Sequence, residues 1–223
     1  MKPSNRMDMK ITAIVLAAGS SRRMGRPKMI LPWGKTTILG QVIETLRAAG
    51  VDEILVVTGA EREAVEAIAS RHDARSVHNP DFERGEMLSS LQVGIRELTP
   101  SRPPPNRFDL GEVPRSGGGG REGVLVCLGD QPHVEERTVR ALAERFAQQT
   151  RSALVVPSRN GRRGHPWIAS RSIWDRLLAL RAPESMRDFF RRAEAEIEYV
   201  MVDSDSIFAD VDTPQDYRES GPS

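Results

Sequence analysis

Hydrophobic positions along the chain fall into two periods, and the switching between them predicts alternating strands and helices. Ile11 to Ala17 (ITAIVLA) is a short apolar run rich in β-branched residues, which reads as a buried strand ending in Ala18-Gly19-Ser20-Ser21. The period then lengthens: Ile38, Leu39, Val42, Ile43, Leu46 and Ala49 share one helical face, and Gly50 supplies the stop. Ile54 to Val57 predicts a second buried strand, Ala64, Val65, Ile68 and Ala69 a second helix, and Arg75 to His78 a weaker strand. Met87, Leu88, Leu91, Ile95 and Leu98 stand at helical spacing after Gly85. Val124 to Leu128 is the clearest buried strand and closes on Gly129-Asp130-Gln131-Pro132.

A helix with Val139, Leu142, Ala143 and Phe146 inward should follow, then a strand at Ala153 to Val156 and a basic loop from Gly161 to Pro166. Two more helices are marked by Ile173, Trp174, Leu177, Leu178 and by Met186, Phe189, Phe190, Ala193. The alternating run Ile197 to Val202 predicts a strand, and Pro214 opens a short last helix. No internal repeat is present. Alternation of strand and helix predicts an α/β fold: a single Rossmann-like three-layer sandwich, its central sheet mostly parallel, with helices on both faces.

The pattern lapses twice. Met1 to Lys10 is polar and reads as a disordered lead-in, with Met7 or Met9 as alternative starts. Thr99 to Gly123 carries Pro103-Pro104-Pro105 and the run Gly117 to Gly120 with few large apolar residues. Such a stretch buries too little surface to offset its ordering entropy, so a flexible insertion that tolerates deletion is expected. One domain over residues 11–218 and a tail at 219–223 complete the expected organisation.

Composition narrows the function by exclusion. Thirty-two basic residues stand against 31 acidic ones, a net charge of +1, so no global field draws the chain to nucleic acid or an anionic membrane. Any anion must be recognised locally. The single cysteine, Cys127, has no intramolecular partner, and no apolar run approaches the roughly 20 residues that span a bilayer. A cytoplasmic protein is the expectation.

The local chemistry gathers after the first strand. Between Gly19 and Lys35 stand five basic residues (Arg22, Arg23, Arg26, Lys28, Lys35) and no acidic one. A solvated basic turn and a polyphosphate cradle both suit that charge. Its place beyond the carboxyl end of a strand, among small residues that let backbone amides approach phosphate oxygens, favours the cradle. Two familiar cradles fail: Ser21 stands where a G-x-G-x-x-G fingerprint needs glycine, and Met29 stands where a P-loop ending in Gly34-Lys35-Thr36 needs one. Asp130, just beyond the strand Val124 to Leu128, lies at the same sheet edge. From position alone it could ligate a metal or cap the helix that begins near Val134.

The stretch Leu16-Ala-Ala-Gly-Ser-Ser-Arg-Arg-Met-Gly-Arg-Pro-Lys-Met-Ile-Leu-Pro32 closely resembles the L-A-A-G-x-S-x-R-M-G-x-x-K-x-L-L-P motif of the molybdenum cofactor cytidylyltransferases, with Ile30 its one soft departure. On that resemblance Leu16, Ala17, Ala18 and Gly19 face the nucleotide, and Arg23 and Lys28 clamp its phosphates. Gly129-Asp130-Gln131-Pro132 matches the family's metal-binding strand end. Asp210-Val211-Asp212-Thr213-Pro214 is similar to the segment that brings a second carboxylate, with Asp212 preferred over Asp210. Asp216 reads as a helix-start acid. Ser90, in Asn79 to Gly94, matches a serine that borders the nucleotide, although first-turn serines are commonly structural. Gly164-His165-Pro166 is similar to an acceptor-side loop, which implies acceptor contacts from Gln131 and His165. Pro183-Glu184-Ser185 departs from a glycine-rich element of the family and leaves the acceptor details open.

The resemblance spans Thr12 to Tyr217, interrupted by the insertion. It implies Mg²⁺ as cofactor, held by Asp130 and Asp212, with CTP as donor, since Ala18 stands where guanylyl-transferring relatives have glycine. A molybdopterin-type acceptor is implied too, with a molybdoenzyme or its chaperone as partner. Transfer from another NTP to a sugar or polyol phosphate is an alternative. So is a non-catalytic nucleotide sensor or escort protein, and so is a dinucleotide oxidoreductase, against which the missing fingerprint counts.

Overall fold

The structure is a computed structural model that describes residues 9–83, 87–99, 121–149 and 153–222. In chain order it runs β1 (Met9–Ala17), β2 (Pro32–Trp33), β3 (Thr36–Thr37), α1 (Ile38–Ala48), β4 (Glu53–Thr58), α2 (Arg62–Arg71), β5 (Arg75–His78) and α3 (Met87–Leu98). Then come β6 (Arg121–Leu128), α4 (Glu136–Gln148), β7 (Leu154–Arg159), β8 (Arg162–Arg163), β9 (Trp167–Ser170), α5 (Arg171–Ala179), α6 (Met186–Arg192), β10 (Ile197–Met201) and α7 (Pro214–Ser220).

The strands order as β10-β7-β9-β6-β1-β4-β5, with β8 folded back on β7. The β5–β4–β1–β6 half is parallel throughout, β10 runs parallel to β7, and β9 is antiparallel to both its neighbours. Successive side chains of a strand point to opposite faces, and that alternation builds two cores. Ala13, Val15, Ile54, Val56, Leu125 and Cys127 meet α1, α2 and α4 on one face. Ile14, Leu16, Val57, Val124, Val126 and Trp167 meet α3, α5 and α6 on the other. The expected three-layer α/β fold with a mostly parallel sheet is the one observed.

Three boundaries differ from expectation. Met9 and Lys10 belong to β1, since their backbones continue the pairing with Arg121 and Glu122. Both ends of the stretch expected to be an insertion belong to regular elements, because Thr99 closes α3 and β6 already opens at Arg121. Residues 100–120 lie outside the described part, as do Arg84 to Glu86. The tail shrinks as well, since α7 extends to Ser220. The strand β9 was hidden inside a stretch read as a loop followed by a helix.

Candidate active site

The turn after β1 is held by its own serine. Ser21 adopts φ 50°, its carbonyl accepts the N–H groups of Met24 and Gly25 at 3.1 Å each, and its hydroxyl accepts the Lys28 N–H at 3.1 Å. Gly25 follows at φ 69°, in the left-handed region where glycine is least strained. Lys28 then opens a short 3-10 turn, Lys28–Ile30, and Met29 packs beneath it against the α1 and α2 face of the core. The loop therefore returns the lysine side chain over the end of the sheet.

The acidic side is delivered by β6. The Gly129 N–H donates to the Leu16 carbonyl at 2.9 Å, tying the ends of the two central strands together. A side chain at Gly129 would press on Met29 Sδ and Ala17 Cβ, at 3.1 and 3.2 Å. Asp130 follows, and α4 begins only at Glu136, so Asp130 caps no helix. Its carbonyl accepts the Val211 N–H at 2.9 Å, which brings the segment Asp210 to Asp212 alongside. The Asp216 carboxylate accepts the N–H groups of Asp212 and Thr213 at 3.1 and 2.8 Å, and Thr213 and Asp216 close a capping box at the start of α7.

These pieces meet around one ammonium. Lys28 Nζ donates to Asp212 Oδ1 at 2.8 Å and to Asp130 Oδ2, while Arg23 reaches the other Asp212 oxygen at 2.7 Å. Burial works against the charged lysine, but the Asp130 and Asp212 carboxylates outweigh it and hold the Lys28 pKa above its ordinary value. Arg23 differs from Lys28 in freedom: 73% of its side chain is exposed against 9%, so it can move to a ligand at little cost. Burial raises the Asp210 pKa, opposed by a bond from Gln131 and reinforced by the neighbouring Asp130 and Asp212.

A cleft of about 450 Å³ opens above this cluster. Its walls include Leu16, Ala18, Gly19, Arg23, Lys28, Ser90, Asp130 and Asp212, so eight of the expected site residues converge on one space. Ser20, Met29, Phe82, Met87, Leu128 and Asp210 complete it. Ser90 is placed by Asn79, whose buried amide donates to Ser89 Oγ and Ser90 Oγ at 3.0 Å each. Gly59 backs the Ala18 turn so closely that a Cβ there would lie 2.3 Å from the Ala18 carbonyl oxygen. A glycine directly after the strand Glu53–Thr58 was the available signal for it. Phe82 carried none, because a single apolar residue beside a loop resembles ordinary packing, and Met87 reads only as part of the α3 face.

Three expected site residues sit elsewhere. Ala17 is 2% exposed and turns into the core with Leu125 and Cys127, because strand alternation points it away from Leu16. Gln131 is also 2% exposed, and its amide donates to the Asp210 carboxylate. His165 is absent from the cleft wall and partly buried, and burial pushes its pKa down to about 4. Its backbone N–H donates to the Ile207 carbonyl at 3.0 Å. Among the described residues, no three His, Cys, Asp or Glu side chains group as a metal cage.

Comparison with known proteins agrees with this architecture. The sequence model of the MobA-like NTP transferase domain matches residues 13–197. A protein named nicotine blue oxidoreductase, from Paenarthrobacter nicotinovorans, is 29% identical over 93% of this chain and 95% of its own length. The molybdenum cofactor cytidylyltransferase of Escherichia coli K12 is 26% identical over 93% of each chain. Among solved structures, Rv0371c of Mycobacterium tuberculosis H37Rv superposes with a TM-score of 0.74 at 27% identity, covering 96% of this chain and 98% of that one. A complex of Rv0371c with manganese superposes with a TM-score of 0.67 at 26% identity, over 95% and 97% of the two chains. A family match across most of the chain, on a nucleotidyltransferase fold, makes this protein a nucleotidyltransferase of the MobA-like NTP transferase domain family.

Proposed function

We propose that the protein transfers CMP from CTP to the terminal phosphate of a molybdopterin-type acceptor and releases pyrophosphate, with Mg²⁺ as its cofactor. The observation that carries the reading is the convergence of Lys28, Arg23, Asp130 and Asp212 on one cleft beside the turn after β1. The donor set fits a hard divalent cation, because two carboxylates already share one cation, the Lys28 ammonium. Mg²⁺ commonly takes only one or two protein carboxylates and completes its shell with phosphate oxygens and water. Asp130 and Asp212 are the residues that would hold it, and when bound it would draw charge from the phosphates.

The remaining work belongs to side chains and backbone. Lys28 leaves its carboxylates for the α-phosphate, and exposed Arg23 swings from Asp212 to the departing phosphates. Amides around Ala18 and Gly19 receive the nucleotide, with Ser90 at its edge. An oxygen of the acceptor phosphate attacks the α-phosphorus in line. One P–O bond forms, the bond to the β-phosphate bridging oxygen breaks, and pyrophosphate leaves with that electron pair. The attacking oxygen is already anionic near neutral pH, so no proton must be removed. Catalysis is positioning and charge complementarity.

Pyrophosphate release from CTP and from GTP, with Mg²⁺, with and without molybdopterin, tests the proposal. Release that requires molybdopterin and prefers CTP is expected. The relative named as an oxidoreductase raises a second reading, so dinucleotide oxidation is followed in the same samples. Dinucleotide turnover without pyrophosphate release would replace the transferase reading, and nucleotide binding with neither product would leave a sensor or escort protein.

A further inference from the structure

None of Gly164, His165 and Pro166 lines the cleft, yet the turn they form is packed tightly against the segment that carries the second carboxylate. A Cβ on Gly164 would lie 2.5 Å from the Ile207 carbonyl oxygen and 2.7 Å from Ile207 Cβ and Cγ1. That is backbone and branched side chain, with no flexible end to give way. The Gly164 N–H donates to the Pro157 carbonyl at 3.0 Å, fixing the turn to β7. The next residue's N–H, from His165, donates to the Ile207 carbonyl, also at 3.0 Å. Four residues further on, the Val211 N–H donates to the Asp130 carbonyl at 2.9 Å. The chain from Ile207 to Val211 is therefore pinned at one end to the β8–β9 turn and at the other to the first carboxylate's own backbone. Asp212 comes immediately after.

We propose that Gly164 and His165 are positioning residues: through Ile207 they set where Asp212 stands relative to Asp130, and His165 acts by its backbone and not as an acceptor ligand. The inference rests on the reading of Asp130 and Asp212 as the metal-holding pair. The side chain of His165 is partly buried and lies off the cleft wall, so its contribution is made through the backbone N–H.

Two readouts separate the positioning from the activity. The first is amide exchange at Val211 and Asp212, which needs no metal. Gly164→Ala is expected to accelerate both amides at least tenfold, while His165→Ala leaves them near the wild-type rate because the N–H remains. The second is Mn²⁺ affinity in the presence of CTP, read by electron paramagnetic resonance. It is expected to fall about tenfold in Gly164→Ala and to hold in His165→Ala. Unchanged exchange in Gly164→Ala, or equal acceleration in both variants, would overturn the positioning role. If Gly164→Ala does not fold, exchange of the wild type under rising urea decides: the His165 and Val211 amides should open in one event, and separate openings would overturn the proposal. Should the wild type bind neither Mn²⁺ nor CTP, the reading of the carboxylates fails, while the exchange result still judges the strap.

Discussion

Removing the Lys28 ammonium would leave Asp130 and Asp212 facing each other with, among the described residues, Arg23 paired to Asp212 to offset them. Two consequences follow from that charge count. A metal ion without nucleotide must displace Lys28 from both carboxylates in the wild type, whereas in Lys28→Met only the exposed Arg23 still pairs with Asp212. Nucleotide-free Mn²⁺ binding, measured by electron paramagnetic resonance, is therefore expected to tighten in Lys28→Met while pyrophosphate release slows on the order of 10²-fold or more. Weaker Mn²⁺ binding in this variant would mean that the lysine holds the acids in place. At this scale the sequence was informative where a residue's charge or its place after a strand carried the signal. Lys28 and Arg23 were visible as charge in a neutral chain, and Asp130 by its place after a strand. Ala17 and Gln131 were not, because their motif positions say nothing of which way a side chain turns: alternation sends Ala17 inward, and Gln131 bonds Asp210.

Among the elements, α7 does more than close the chain. Its capping acid, Asp216, also accepts the Asp212 N–H, so the helix start and the second carboxylate share one anchor. Asp216→Ala removes the carboxylate that completes the capping box and is expected to lower stability in urea unfolding by about 1 kcal/mol, the order of one net hydrogen bond, and to slow turnover as well; a stability loss with full activity would uncouple the two. The β8–β9 turn supplies a pH test. The folded pKa of His165, about 4, lies below its ordinary 6.5, so the unfolded chain binds the extra proton between those values. Its contribution is complete above about pH 6.5 and is lost as pH falls toward 4. The melting temperature should drop over that window, and His165→Gln should flatten part of the slope; an unchanged slope would contradict burial as the cause. The strand β9 was illegible because it is only four residues long, Trp167–Ser170, and buried on both faces. Such a run shows no period that separates strand from helix.

For the whole molecule, the two cores on either face of the sheet were legible because strand and helix periods alternate over most of the chain. Sheet order was not, since the antiparallel β9 enters between β6 and β7 through contacts remote in sequence. The core is expected to be separable from the chemistry. Phe146→Ala empties a fully buried site against Gly123 and should cost about 3–5 kcal/mol in denaturant unfolding, with pyrophosphate release retained below the melting transition. Loss of activity in a still-folded variant would show that the layers transmit to the cleft. We propose that Asp130, beyond the β6 strand, faces a bound triphosphate together with Lys28. Pyrophosphate release from Mg²⁺ and CTP with molybdopterin, compared between wild type and Asp130→Ala, tests it most directly. The account predicts a loss of about 10²- to 10³-fold, with nucleotide-dependent melting shifts partly kept, and release at the wild-type rate would contradict it.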